Sequence, residues 1–199
     1  PVGRFNAAVD QSSCIACAAG TFAATNKTLA CDDCGSGTFA VAPEATACQD
    51  CLPGTNQPAP GQSACADCSA GTFSVLEAAT ECLDCAVGKF QTFEGRSECG
   101  NCTVGTFAGS TAQQVCALCE PGTSGPFEGA GSCSQCIEGY VQPAKGAAAC
   151  DACLPGSFIS VPGQTECTLC PPGEYSAGLN ASVCSQGATG RFQDQDGSI

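Results

Sequence analysis

The sequence predicts a small disulfide-rich repeat protein, an elongated rod of 17-residue turn and short-β units with little helix. Three observations carry this reading: 21 cysteines in 199 residues, cysteine pairs every 17 residues, and glycine in the same phase. The cysteine content lies above the ~8–10% that marks a disulfide scaffold or a metal-thiolate protein. The pairs fall at 14/17, 31/34, 48/51 and onward to 167/170 without a break, and self-similarity at a fixed period is the signature of a repeat architecture.

Each element of the unit has a physical reading. Twelve glycines follow in phase, from Gly3, Gly20 and Gly37 to Gly173 and Gly190, so the unit is CxxCxxGx[F/Y] followed by eight variable residues. A glycine at one fixed place marks a backbone with positive φ or a close approach. Two residues later stands an aromatic at Phe5, Phe22, Phe39, Phe73, Phe90, Phe107, Phe158, Tyr175 and Phe192, the one large apolar group most repeats have, expected to cover the adjacent disulfide. Asn56, Ser124 and Val141 are the exceptions, with Phe127 and Tyr140 expected to compensate partly in two of those repeats. A second turn signal lies seven residues past the glycine, as in Pro60-Gly61, Glu94-Gly95, Glu128-Gly129, Lys145-Gly146 and Pro162-Gly163. Neither helical periodicity nor a long run of strand formers is present, so sparse, short β pairing is expected. Units far below the ~40 residues that fold without staples must stack, each contacting its neighbours only. The tandem array of about eleven units is assigned to residues 1–187, and 188–199 to a degenerate repeat start or acidic tail.

Composition narrows the function classes. Histidine, methionine and tryptophan are absent and charged residues make up 13%, so general bases and imidazole ligands are missing and no enzyme, catalytic residue or cofactor is expected. A formal charge of −13 with six Lys or Arg offers phosphates and anionic headgroups little to pair with. Nucleic acid is therefore not an expected partner. No stretch approaches the ~20 apolar residues of a membrane span, and Pro1 is preceded by neither Met nor a signal-like segment, as expected for a processed product or a piece of something longer.

Two disulfide frames fit the spacing: the second cysteine of one CxxC bonds the first of the next, or cysteines one repeat apart bond in parallel, and sequence alone proves neither. The chain ends favour the first: Cys17-Cys31, Cys34-Cys48, Cys51-Cys65, Cys68-Cys82, Cys85-Cys99, Cys102-Cys116, Cys119-Cys133, Cys136-Cys150, Cys153-Cys167 and Cys170-Cys184. Cys14 is then unpaired within the chain, its partner falling just before Pro1, and Gly187 stands where the next cysteine is due. Each bridge closes a loop of about 15 residues, worth roughly 3 kcal/mol in the chain-entropy model. The rival is a metal site, since CxxC-x13-CxxC is close to zinc-ribbon spacing. Four-thiolate sites would group repeats in twos, whereas every unit is alike. A redox CxxC lacks a thioredoxin-like setting.

The unit C-x-x-G-x-[F/Y]-x8-C, joined by two residues to the next, resembles the ephrin-receptor-like cysteine-rich repeats and is similar to the first-loop module of tumour-necrosis-factor receptors. The resemblance covers nearly all of residues 1–187. It implies an extracellular, elongated ectodomain and supports sequential bridges, with Cys17 and Cys31 as the matching first pair. Modules of this kind occur in receptors, secreted matrix-like proteins and protist surface antigens. The crossed second bridge pair of true tumour-necrosis-factor receptors is missing, which argues against ligand binding by that route.

Asn26, Asn101 and Asn180 open N-glycosylation sequons. Asn26 and Asn180 lie in variable arms, while Asn101, inside a tight CxxC, is the weaker candidate. Thr21, Thr38, Thr55, Thr72, Thr106 and Thr123 follow the repeat glycine and read as extended-chain residues before sugar carriers. Asp194 and Asp196 have the spacing that opens a calcium loop but lack its distal acid, and Asp32, Asp33 and Glu44 read as a soluble surface. The function expected is an extracellular or cell-surface structural protein, a rod, stalk or protomer of a fibre. It would be glycosylated, with copies of itself or other extracellular structural proteins as partners. The alternatives are a receptor-like ectodomain binding a protein ligand through the divergent repeats at Asn56, Ser124 and Val141, and a metal-thiolate protein.

Overall fold

The computed structural model describes residues 1–7 and 13–187. Among these residues there is no helix, and the regular structure consists of strands of two residues each, paired two by two in chain order. Strand β1 (Arg4–Phe5) pairs antiparallel with β2 (Ile15–Ala16), and β3 (Thr21–Phe22) with β4 (Asp32–Asp33), in the register Thr21↔Asp33 and Phe22↔Asp32. Register repeats at Thr38↔Asp50, Thr55↔Asp67 and onward to Glu174↔Gln186. The two residues after each repeat glycine from Gly3 to Gly156 thus pair with the two residues inside the following CxxC, and those after Gly173 with the two residues between Cys184 and Gly187. Cysteines on both sides hold the CxxC dipeptide, which keeps the strand short.

Each ladder is continued by the staple. The amide of the second CxxC cysteine donates to the carbonyl of the preceding repeat glycine, as in Cys17 to Gly3 (3.0 Å), Cys34 to Gly20 (2.9 Å) and Cys119 to Gly105 (2.9 Å). Ten disulfides close loops of sequence separation 14, with Cα–Cα distances such as 5.7 Å for Cys17–Cys31 and 5.8 Å for Cys170–Cys184. One half of every bridge is fully enclosed: Cys17, Cys34, Cys51, Cys68, Cys85, Cys102, Cys119, Cys136, Cys153 and Cys170 are the largest side chains with under 2% exposure. The other halves are half-buried. Within each unit the enclosed core is therefore mainly disulfide sulfur, together with small residues such as Ala23, Ala40 and Ala108.

Two compact units divide the chain. The first comprises Pro1–Cys85, Phe90–Gly100 and Ala112–Gln114, and the second Ala86–Lys89, Asn101–Thr111 and Val115–Ile199, whose last twelve residues lie outside the described ones. In the first unit, Gly20 N–H donates to Ala40 O (2.8 Å), Ala23 N–H to Ala45 O (3.1 Å) and Glu44 N–H to Cys17 O (2.9 Å). In the second, the same three bonds run from Gly105 to Gly125 (2.7 Å), Ala108 to Ala130 (3.0 Å) and Gly129 to Cys102 (2.7 Å).

The stacking is deeper than the sequence expectation that each repeat meets its neighbours only. The arm leans back, so that the carbonyl at its tip lies against the glycine two repeats earlier: Glu44 on Gly3, Ala78 on Gly37, Gly129 on Gly88, Asn180 on Gly139. A short repeat leaves its eight-residue arm longer than one repeat can cover, and the tip finds its backbone partners, including the Cys17 and Cys102 carbonyls, farther back.

Candidate functional site

With the staples alike in all ten bridged repeats and the seams alike from Gly3 to Gly139, distinct chemistry resides where the unit departs from its pattern. Phe5, Phe22, Phe39, Phe73, Phe90, Phe107, Phe158 and Tyr175 are half-buried in their repeats. At the corresponding place the Asn56 amide donates to the Thr80 carbonyl (3.3 Å), whereas Val141 and Ser124 are buried, each 7% exposed. Ser124 Oγ lies 3.3 Å from Sγ of Cys150, a disulfide sulfur and hence only an acceptor. This contact puts the position two past the glycine against the staple of the following repeat. Where serine replaces the ring, a cavity of about 300 Å³ opens, lined by Ser124, Pro126, Cys136, Ile137, Tyr140 and Cys150.

Phe127 does not compensate for the ring lost at Ser124. It stands at the arm tip, 75% exposed, because a residue five past the glycine has already left the strand pair and faces solvent. Tyr140 is half-buried and lines the Ser124 cavity.

A second departure lies three past the glycine. Gln57, Gln91 and Gln142 occupy this position in their repeats, Gln57 and Gln142 buried and Gln91 half-buried. Each carboxamide closes its own arm. Nε2 donates to the carbonyl seven residues on, at Ala64, Glu98 and Ala149 (2.7 Å each), and Oε1 accepts the amide two residues on, at Ala59 (3.2 Å), Phe93 (3.1 Å) and Ala144 (3.0 Å). Ser74 stands there in its own repeat, and a cavity of about 350 Å³ lies beneath its arm, lined by residues 74–81 and Leu83. These clamps escaped the sequence reading, although Gln57, Gln91 and Gln142 share one phase of the period.

The threonines after the repeat glycine have a defined task. Oγ1 of Thr21, Thr38, Thr55, Thr72, Thr106 and Thr123 donates to the carbonyl three residues back, at 2.9, 2.8, 2.8, 2.8, 2.7 and 2.6 Å. The amide of the same residue bonds the same carbonyl, as in Thr21 to Ala18 (3.1 Å). The hydroxyl thus fastens the turn that carries the glycine, a local side-chain-to-backbone bond of the kind short hydroxyl residues make.

Asn26, Asn101 and Asn180 are exposed. Asn101 lies in the strand Gly100–Asn101 between Cys99 and Cys102, and Asn180 holds φ 55° at an arm tip. Cys14 is unbonded and half-exposed, its carbonyl accepting from Arg4 Nη1 at 3.4 Å. Arg4 pairs with Glu44, and this hydrogen-bonded guanidinium holds the Glu44 carboxyl below the usual carboxylate range. Lys145 pairs with Glu120 at 2.9 Å, both exposed. Asp32 and Asp33 are exposed, and among the described residues no three His, Cys, Asp or Glu side chains converge as ligands of one ion. Asp194 and Asp196 lie outside the described residues. No described helix is long and apolar enough to cross a membrane.

Residues 3–51 match the family described as tyrosine-protein kinase ephrin type A/B receptor-like. No curated protein matches the chain. The bridge spacing within the matched segment continues unchanged to Cys170–Cys184.

Proposed function

We propose that this array of ephrin-receptor-like cysteine-rich repeats serves as an extracellular structural element, a rod, stalk or protomer of a surface fibre. The observation that carries the reading is uniformity. All ten bridges have the same sequence separation of 14, and the glycine, cysteine and arm-tip backbone bonds recur along both units without an insertion. Stability resting on disulfides belongs to an oxidising compartment, since cytosolic thiols are kept reduced. Exposed apolar residues recur along the arm tips, Val41, Val75, Leu76 and Phe93 in the first unit and Phe127, Val161 and Leu179 in the second. Such a surface suits lateral packing with further copies. Glycans on Asn26 and Asn180 complete the proposal, both side chains being exposed.

Electron microscopy of chains with different numbers of repeats tests it. Particle length that grows in proportion to repeat number supports the proposal; compact globules of constant aspect defeat it. The receptor-like reading draws on one observation, the cavity at Ser124 where a repeat loses its aromatic. Exchange of the 125–132 arm for that of another repeat would abolish a partner interaction on that reading, and leave assembly untouched.

A further inference from the structure

We propose that the cavity beneath the arm of residues 74–83 is a binding site for a primary carboxamide, the side chain of a glutamine presented by another polypeptide. This inference stands apart from the structural role, because it rests on a comparison among sister arms. In three of them the chain fills the equivalent place itself. The carboxamides of Gln57, Gln91 and Gln142 bridge the amide two residues on and the carbonyl seven residues on, with donor distances of 2.7 Å and acceptor distances of 3.0–3.2 Å. In the repeat of Ser74 those two groups are the Leu76 amide and the Glu81 carbonyl. Both residues line the 350 Å³ cavity.

Ser74 is too short to reach them. Its hydroxyl donates to the Leu76 carbonyl at 3.3 Å, and among the described residues no hydrogen bond engages the Leu76 amide or the Glu81 carbonyl. One unpaired donor and one unpaired acceptor therefore flank an open space, at the same sequence offsets that a glutamine side chain spans three times elsewhere in this chain. Val75, Leu76 and Leu83, exposed at 58, 70 and 51%, form an apolar mouth against which methylenes can lie.

The chemistry of the pair selects the ligand. A primary carboxamide offers N–H to the carbonyl and oxygen to the amide at once, an ionised glutamate lacks the donor, and a leucine lacks both. A polar group that the bound ligand covers without matching is the source of such discrimination.

Nuclear magnetic resonance of the full, oxidised chain tests the site, with the Leu76 amide as reporter and the capped peptides Ala-Gln-Ala, Ala-Glu-Ala and Ala-Leu-Ala as probes. The glutamine peptide is expected to move the Leu76 amide saturably with a dissociation constant on the order of millimolar, and the glutamate peptide to bind at least about tenfold more weakly. Ser74→Gln fills the cavity from within, so the Leu76 amide of that variant should already sit at the shifted position and ignore the peptide. Ser74→Ala keeps the cavity open and should still bind, which separates a filled site from a disturbed fold. Equal responses to all three peptides, no saturable change at Leu76, or a stronger response to N-acetylglucosamine than to the glutamine peptide would each overturn the proposal.

Discussion

From the repeat of Gly20 to that of Gly173, each repeat holds two residues at positive φ, one beside the staple and one at the arm tip, and only the first is always glycine. Beside the staple, Gly3 to Gly173 have φ of 75–91° in every described repeat. At the tip, Gly61, Gly95, Gly129, Gly146 and Gly163 share the left-handed region with Lys27 (66°), Glu44 (64°), Ala78 (54°), Ala112 (57°) and Asn180 (55°). Dihedral angle alone does not explain the difference, since a left-handed L-residue costs roughly 1–2 kcal/mol and is affordable. Space does. A Cβ on any staple glycine from Gly3 to Gly139 would lie under 3.0 Å from a backbone carbonyl of the arm tip two repeats on. At the tips a Cβ meets side chains that can give way, such as Asn101 at 3.7 Å from Gly129. Glycine is therefore required where two backbones touch and optional where one merely turns.

That distinction can be broken or sharpened by substitution. Gly71→Ala drives a Cβ into the Ala112 carbonyl; left-handed strain of ~1–2 kcal/mol and overpacking of ~1–3 kcal/mol together predict a loss of about 2–5 kcal/mol in denaturant unfolding under oxidising conditions. Removing one staple by the double change Cys102→Ser and Cys116→Ser should lower stability by about 3 kcal/mol, so a single methyl at the seam is expected to rival a whole disulfide. Gly129→Ala, at the tip, should lose only about 1 kcal/mol, and Ala112→Gly should gain about 0.5–1 kcal/mol by releasing the left-handed strain against the chain entropy of glycine. Equal losses at Gly71 and Gly129 would show that φ, not contact, governs both places.

The smallest effect concerns Glu44, where the tip residue also bonds Arg4. Its carboxyl is held below the usual range in the folded chain, so the pair's contribution is present above that range and fades as pH falls through the lowered value. Glu44→Gln should remove that part of the acid dependence and leave neutral-pH stability nearly unchanged, both side chains being exposed.

The fold class was open to sequence because its cause is periodic: cysteine, glycine and aromatic recur at fixed offsets, and 17 residues are too few to fold without staples and stacking. The arm tips show where legibility ends. Glycine announces five of them, but nothing in the identity of Ala78 or Ala112 signals left-handed backbone, which accompanies Cys–tip hydrogen bonds from 27 residues away, as in Ala78 N–H to Cys51 O (2.8 Å) and Ala112 N–H to Cys85 O (2.9 Å). The lean of the arm onto the glycine two repeats back was hidden for the same reason, being set by stacking and not by any local motif. Thr21 and its equivalents carried a signal of the right kind in the wrong column: their recurrence reflects a hydroxyl bond to the turn as well as strand propensity. Phe127 misled because an aromatic near a vacant aromatic position was expected to fill it, although its offset places it at the tip. Ser74 carries no signal of its own in the sequence; its shortness matters only because Gln57, Gln91 and Gln142 span their arms from the same position.

Sulfur bridges between successive CxxC pairs, sealed by glycine seams, hold the array together. Peptide mapping of the oxidised protein by mass spectrometry, with elemental analysis of the same sample, tests it most directly. The account predicts ten bridges of separation 14, from Cys17–Cys31 to Cys170–Cys184, with Cys14 as the one thiol left over within the chain. Free thiols throughout, accompanied by stoichiometric zinc, would contradict it.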